Sequence, residues 1–111
     1  MIVKAESYGQ VVVLNCRGEF TTDSLEAFQR TVEKQLADAQ VRDLVLNLED
    51  VPFVDSAVLE YLLELQEQLS ERLGQVKLAR PHQNTWKVFE ITRLENAFEK
   101  FEDVSEAVKT I

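Results

Sequence analysis

The sequence predicts an α/β fold, with a mixed β-sheet of four or five strands covered by about four α-helices in the order β-β-α-β-α-β-α-β-α. Short aliphatic runs alternate with longer segments whose apolar residues recur every three or four positions. Only a turn separates the first two strand-like runs, whereas helical segments separate the later ones, as in parallel βαβ units. The chain has 111 residues, which is the size of one ordinary domain, and we expect a single domain over residues 1–111.

The chain opens with a predicted β-hairpin. Residues Ile2–Ser7 and Val11–Cys16 are rich in strand-forming residues, and Gly9 lies between them at a position suited to a turn. Cys16 is the single cysteine, so it cannot form an internal disulfide. Its place at the end of an aliphatic run predicts a small buried residue, and a redox thiol is the less favoured interpretation.

An amphipathic helix is predicted for residues Thr22–Ala39. Its charged residues lie off a single apolar stripe with spacings of three and four. Asp23 is followed three residues later by Glu26, which resembles a capping box at the start of the helix. The apolar stripe consists of Leu25, Phe28, Val32 and Leu36.

The middle of the chain predicts a buried strand and then a second helix. Strand three, Asp43–Leu48, is short and aliphatic, and Pro52 prevents its ladder from continuing. The helix is predicted to run from about Ser56 to about Leu73, where Gly74 stops it. Its inward stripe is expected to consist of Val58, Leu62, Leu65, Leu69 and Leu73.

The last third of the chain predicts two further strand and helix pairs. Gln75–Arg80 alternates at period two, which predicts a fourth strand. A short helix is expected around Asn84–Ile91, and a brief fifth strand over Phe98–Phe101. Asp103 and Glu106 frame the start of a last helix. One face of that helix holds Val104, Ala107, Val108 and Ile111.

The charge balance and the apolar pattern argue against several classes of partner. Twenty acidic residues outnumber twelve basic ones, for a net charge of -8, which disfavours binding to nucleic acid or to anionic lipid. The apolar runs are only a few residues long, so we expect neither a signal peptide nor a membrane-spanning helix. Together with the single cysteine, this predicts a cytoplasmic protein.

The residue inventory offers little for an enzymatic site. His82 is the only histidine, which excludes a histidine-based metal cluster, and the three glycines are too scattered to form a phosphate-binding loop. Ser56 does not lie in a nucleophile elbow, and no general base for it is evident. We therefore expect a protein that is not an enzyme and that uses no metal or other cofactor.

The passage from Asp55 to Ser56 is where the chain most favours functional chemistry. Both residue types prefer helix caps, so one interpretation is that they only cap the second helix. The other is that Ser56 carries a phosphate, because the free backbone N–H groups and the dipole at a helix N-terminus favour a negative charge. The local residues alone leave both interpretations open.

The order of the elements and several motifs resemble the STAS domain of bacterial anti-sigma factor antagonists. The stretches that carry the resemblance are Gly18-Glu19-Phe20, Leu44-Val45-Leu46-Asn47-Leu48, Val51-Pro52-Phe53-Val54-Asp55-Ser56, Leu59, Val76–Pro81, Val88–Leu94, Phe98 and Ser105–Val108. They cover nearly the whole chain. The resemblance implies a binding module that, when unphosphorylated, binds an anti-sigma factor serine kinase and thereby frees the sigma factor. It also implies that a PP2C-type phosphatase resets the phosphorylated form.

The resemblance implies that Ser56 is the phosphoacceptor. The partner-binding residues that it implies are Asp55, Ser56, Ala57, Val58, Asp23 and Thr21. Thr21 stands where the family often has an aspartate, and Val58 stands where it commonly has a glycine. These two departures support an alternative, a STAS scaffold or subunit that binds its partner constitutively in a stress-signalling assembly or a membrane-associated transport complex. Neither hypothesis predicts an oligomeric state.

Overall fold

The computed structural model describes residues 1–109 and confirms the predicted fold class and order of elements. The strands are β1 (Ile2–Tyr8), β2 (Val11–Arg17), β3 (Asp43–Asp50), β4 (Val76–Ala79) and β5 (Glu99–Phe101). The helices are α1 (Thr22–Leu36), α2 (Ser56–Ser70), α3 (Gln83–Ile91) and α4 (Val104–Lys109). The predicted place of Ile111 on the face of α4 lies outside the described residues.

The strands form one sheet in the order β1-β2-β3-β4-β5, in which β1 is antiparallel to β2 and the other neighbours are parallel. Gly9 takes a φ of 65° in the turn of the opening hairpin, in the left-handed region that glycine adopts most readily. Because β2 and β3 are parallel, the loops that follow them leave the sheet at the same edge. An isolated parallel bridge joins these loops through Phe20 and Val54.

Helices cover both faces of the sheet. On one face, α1, α2 and α3 pack against alternate strand residues and form the larger core, which includes Val12 and Leu14 of β2. On the other face, α4 packs against a smaller cluster that includes Val11 and Val13. Cys16 is buried in the larger core, as predicted, and burial raises the pKa of its thiol to about 12. None of the helices within residues 1–109 is long and apolar enough to cross a membrane.

The end of α2 differs from the prediction. The helix ends at Ser70, and Leu73 is 85% exposed instead of continuing the inward stripe. Leu73 itself takes the left-handed conformation expected of a terminating glycine, with a φ of 63°. Gly74 is needed for a different reason, because a Cβ atom there would clash with the carbonyl oxygen of Arg42. The helix also buries Leu59, which the predicted stripe did not include.

α1 begins at Thr22, as predicted, but it ends at Leu36 instead of Ala39 and its cap differs from the prediction. The N-cap is Thr21, whose backbone N–H donates to the hydroxyl oxygen of Ser24 at 3.0 Å. The predicted capping box of Asp23 and Glu26 is therefore wrong, and Glu26 instead pairs with Arg30 one turn further along the helix. The bridge that fixes the preceding residue, Phe20, to the neighbouring loop explains why the helix begins immediately after Thr21.

Candidate functional site

The first turns of α1 and α2 meet at the edge where β2 and β3 end. The Phe20 N–H donates to the Phe53 carbonyl oxygen at 2.9 Å, and the Asp55 N–H donates to the Phe20 carbonyl oxygen at 3.3 Å. These two hydrogen bonds hold the loop before α1 against the loop before α2. As a result, α1 begins at Thr22 and α2 begins at Ser56 side by side.

The carboxylate of Asp55 links the two helices. Its Oδ2 atom accepts hydrogen bonds from the backbone N–H of Thr22 at 2.8 Å and from the Thr22 hydroxyl at 3.0 Å. Its Oδ1 atom accepts from the backbone N–H of Val58 at 3.1 Å, which caps α2. One carboxylate therefore satisfies free N–H groups at the N-termini of both helices.

The environment of Asp55 favours its ionised form. Burial by itself would raise the pKa of this carboxyl, but the hydrogen bonds from Thr22 and Val58 outweigh burial and lower the pKa below its ordinary value. The carboxylate is therefore charged at neutral pH. It places a negative charge where the positive ends of two helix dipoles meet.

Ser56 is the first residue of α2, and its side chain is exposed. Because Asp55 is the N-cap residue, the serine hydroxyl is not needed to cap the helix. Of the two roles considered for this pair of residues, capping is thus carried by Asp55. The hydroxyl of Ser56 is left facing solvent at the N-terminus of a helix.

Two other residues of the predicted partner surface follow Ser56 in α2. Ala57 is half-buried, and the side chain of Val58 is fully buried in the core. The expectation that a partner contacts the Val58 side chain is therefore corrected. The reason is the helical period, which turns this position towards the sheet together with Leu62. The branched side chain that replaces the family's glycine adds no bulk to the surface beside Ser56.

The structure brings the predicted residues of α1 to the same edge. Thr21 is half-buried and caps α1, whereas Asp23 is exposed in the first turn. Asp23 follows Thr22, which is bonded to Asp55, so this turn of α1 lies at the same edge of the sheet as Ser56. Within residues 1–109, no group of three or more His, Cys, Asp or Glu side chains is placed to hold a metal ion.

Sequence reasoning missed two residues of this site. Thr22 bonds to Asp55 across 33 positions of sequence, and no local pattern signals such a contact. Phe53 is 50% exposed, although Val51 and Val54 on either side of it are buried. The sequence did contain a signal for the exposure of Phe53. The residue follows a proline in the short loop between β3 and α2, and a side chain in such a loop has few ways to reach the core.

We expect Asp55→Ala to destabilise the protein by about 1–2 kcal/mol, because α2 loses its N-cap and the N–H of Thr22 loses its acceptor. Urea unfolding followed by circular dichroism would measure the loss. Asp23→Ala is the matched control, since this exposed aspartate also lies in the first turn of a helix but does not cap it. Equal losses for the two variants would contradict a capping role for Asp55.

The lowered pKa of Asp55 also makes this contribution depend on pH. The stability gained from the carboxylate is fully present above the pKa that the Asp55 carboxyl has in the unfolded chain, near 3.8. It is lost as the pH falls through the lower pKa of the folded protein. The difference in unfolding free energy between wild type and Asp55→Asn should therefore be constant above about pH 5 and shrink below it. A difference that persists at the acid end would show that the charge is not its source.

The sequence model of the STAS domain family matches residues 3–107. An anti-sigma factor antagonist of Mycobacterium paratuberculosis is 22% identical, with 99% of this chain and 92% of that chain covered and a TM-score of 0.86. The unphosphorylated form of SpoIIAA, an anti-sigma factor antagonist of Bacillus, is 21% identical, with 96% and 93% covered and a TM-score of 0.83.

A third similar structure is an anion transporter. The murine anion transporter solute carrier 26 family member A9 is 21% identical, with a TM-score of 0.71. The match covers 93% of this chain but only 18% of the transporter. At such low identities, these solved structures establish a common fold and nothing further.

Proposed function

The chain belongs to the STAS domain family, and we propose that it is an anti-sigma factor antagonist switched by phosphorylation of Ser56. In its unphosphorylated form it binds an anti-sigma factor serine kinase in the cytoplasm, and the kinase then releases its sigma factor. The kinase phosphorylates Ser56, the complex dissociates, and a PP2C-type phosphatase restores the binding form. The protein is a binding module and not an enzyme, and it needs no cofactor of its own.

The observation that carries this proposal is that Asp55 caps α2 while Ser56 beside it is exposed. Asp55 caps α2, so a phosphoryl group on Ser56 would not remove the cap. The hydroxyl is exposed, as a kinase substrate must be. The converging N-termini of α1 and α2 partly offset the added negative charge, so the modified protein can keep its fold.

The same charge explains release. A serine kinase must hold the γ-phosphate of ATP in line with the Ser56 hydroxyl. After transfer, phosphoserine carries about -1.5 to -2 charges and faces the phosphates of the remaining ADP, with the Asp55 carboxylate beside it. These like charges repel one another inside a contact that excludes water. The interface that positions the hydroxyl therefore becomes unfavourable once the product has formed.

Intact mass spectrometry tests the proposal. The protein is incubated with ATP and the serine kinase encoded near its gene, and wild type is compared with Ser56→Ala. Wild type is expected to gain one phosphoryl group and Ser56→Ala none. Ser105→Ala, at another exposed serine near a helix N-terminus, is the control and should be phosphorylated like wild type. Phosphorylation of Ser56→Ala would assign the switch to another residue.

We also expect Ser56→Asp to weaken kinase binding by at least about tenfold, because an aspartate brings a fixed charge to the same place. Isothermal titration calorimetry with the kinase and ADP would measure the dissociation constant. Ser56→Asn is the matched control, since it has nearly the same shape without the charge. An unchanged affinity for Ser56→Asp would contradict charge as the cause of release.

A second candidate function is a scaffold or subunit that binds its partner constitutively, in a stress-signalling assembly or a membrane-associated transport complex. The fold that most of this chain shares with part of an anion transporter is compatible with it. The mass experiment separates the two functions. A wild-type protein that binds the kinase but gains no phosphoryl group would favour the scaffold.

A further inference from the structure

Phe53 is an exposed aromatic residue three positions before Ser56. Its side chain is 50% exposed, whereas Val51 and Val54 are 0% and 1% exposed. Leaving a phenylalanine half in water forgoes part of the free energy that its burial would contribute. An isolated exposed apolar side chain is unremarkable by itself. Phe53 is of interest because it lies beside the candidate phosphorylation site.

The loop that presents Phe53 is tied down on both sides. The buried hydroxyl of Thr85 in α3 donates to the carbonyl oxygen of Val51 at 3.1 Å. The carbonyl oxygen of Phe53 accepts from the N–H of Phe20 at 2.9 Å. The flanking valines are anchored in the core. The ring is therefore held at the surface by its backbone, and a partner that binds it has little loop entropy to overcome.

Exposed carboxylates lie on the segments that meet at the edge of the sheet next to Phe53. Glu19 precedes Phe20, which bonds to the loop; Asp23 lies in the first turn of α1; and Glu60 lies one turn beyond Ser56 on α2. All three side chains are exposed. A second copy of this chain would bring like charges together around the ring. The surface instead suits a partner with an apolar pocket bordered by arginine or lysine side chains.

We propose that Phe53 is the apolar anchor by which the unphosphorylated protein holds its kinase. The inference rests on the proposed function and adds an apolar residue that contributes to the affinity. The ring fills an apolar pocket of the kinase, and cationic side chains at the rim of the pocket face the carboxylates around it. With the ring seated, the short tether between Phe53 and Ser56 directs the hydroxyl towards the nucleotide.

Calorimetric titration of the purified kinase with ADP tests the anchor. Phe53→Ala is expected to weaken binding by about tenfold or more, as truncation of a hot-spot aromatic does. Phe53→Leu, which keeps an apolar side chain, should recover part of the loss. Ile91→Ala is the control, because Ile91 is 76% exposed at the end of α3, outside the Ser56 edge, and should change the affinity by less than about twofold.

The outcomes separate this inference from the proposed function. If wild type binds and is phosphorylated but Phe53→Ala binds equally well, the anchor is wrong and the proposed function stands. If wild type neither binds the kinase nor is phosphorylated, the proposed function fails, and the anchor fails with it. If sedimentation shows that wild type is a dimer and Phe53→Ala a monomer, the ring serves a second copy, which also overturns the inference.

Discussion

Phe20→Ala is expected to destabilise the protein by about 3–5 kcal/mol, the usual cost of removing a buried aromatic ring. Phe20 is fully buried, and its ring centroid lies 4.6 Å from that of Phe28. The truncation leaves a cavity directly beneath the edge that carries Ser56. Urea unfolding followed by circular dichroism would measure the change in unfolding free energy.

The same substitution is expected to loosen the candidate site. The N–H and carbonyl groups of Phe20 bond to Phe53 and Asp55, and the buried ring fixes the position of that backbone. Hydrogen exchange of the Asp55 amide should therefore accelerate in Phe20→Ala by more than the loss of global stability explains. Phe89→Ala is the matched control, because this equally buried ring packs against Trp86 and Phe98 instead. Equal acceleration in both variants would contradict a local role for Phe20.

The fold was predictable because its signals are local. The apolar period of α1 and the aliphatic run of β3 each lie within one short stretch of chain, and each element buries the face that its period indicates. The switch from a hairpin to strands separated by helices was enough to predict a mixed sheet. The periodicity of the apolar side chains was thus enough to predict the architecture without any knowledge of contacts.

The element ends were harder to predict because tertiary contacts set them. The cap of α1 is Thr21 and not Asp23, next to the residue that the bridge between Phe20 and Val54 fixes. α2 ends at Ser70, before Leu73, and the next glycine, Gly74, lies close to the backbone of Arg42. Neither contact has a sequence signal, since each joins segments that are distant in the chain. Asp23 suggested a cap and Gly74 suggested a helix end for reasons of residue propensity, and the fold overrode both.

The candidate site was predictable in part. The cap preference of Asp55 and the expected start of the helix at Ser56 both follow from residue type. The burial of Val58 was also available, because the apolar stripe of α2 already included this residue. Treating the same side chain as a partner contact conflicted with that stripe, and the stripe was correct at this position. Thr22 could not be found, because its bond to Asp55 exists only once two loops meet.

Lys77→Ala carries the other large effect, an expected destabilisation of about 3–5 kcal/mol, as when one partner of a buried ion pair is removed. The period-two pattern around Lys77 is typical of a strand with one solvent-exposed face. In the structure α4 covers that face of β4, and Lys77 is fully buried. Its Nζ atom donates to the Ala107 carbonyl oxygen at 3.0 Å and lies 3.7 Å from Oδ2 of Asp43. The ammonium thus joins the sheet to α4.

Lys77→Met separates the packing of the side chain from its charge. Methionine fills most of the space but cannot donate to Ala107 or pair with Asp43, so we expect a smaller loss of about 1–3 kcal/mol. Lys87→Ala, at an exposed lysine of α3, is the control and should change the unfolding free energy by less than about 0.5 kcal/mol. If Lys77→Ala were as mild as this control, the ammonium would not hold α4 on the sheet. If Lys77→Met were as stable as wild type, the buried charge would add no net stability, because desolvation of the lysine would cancel its contacts.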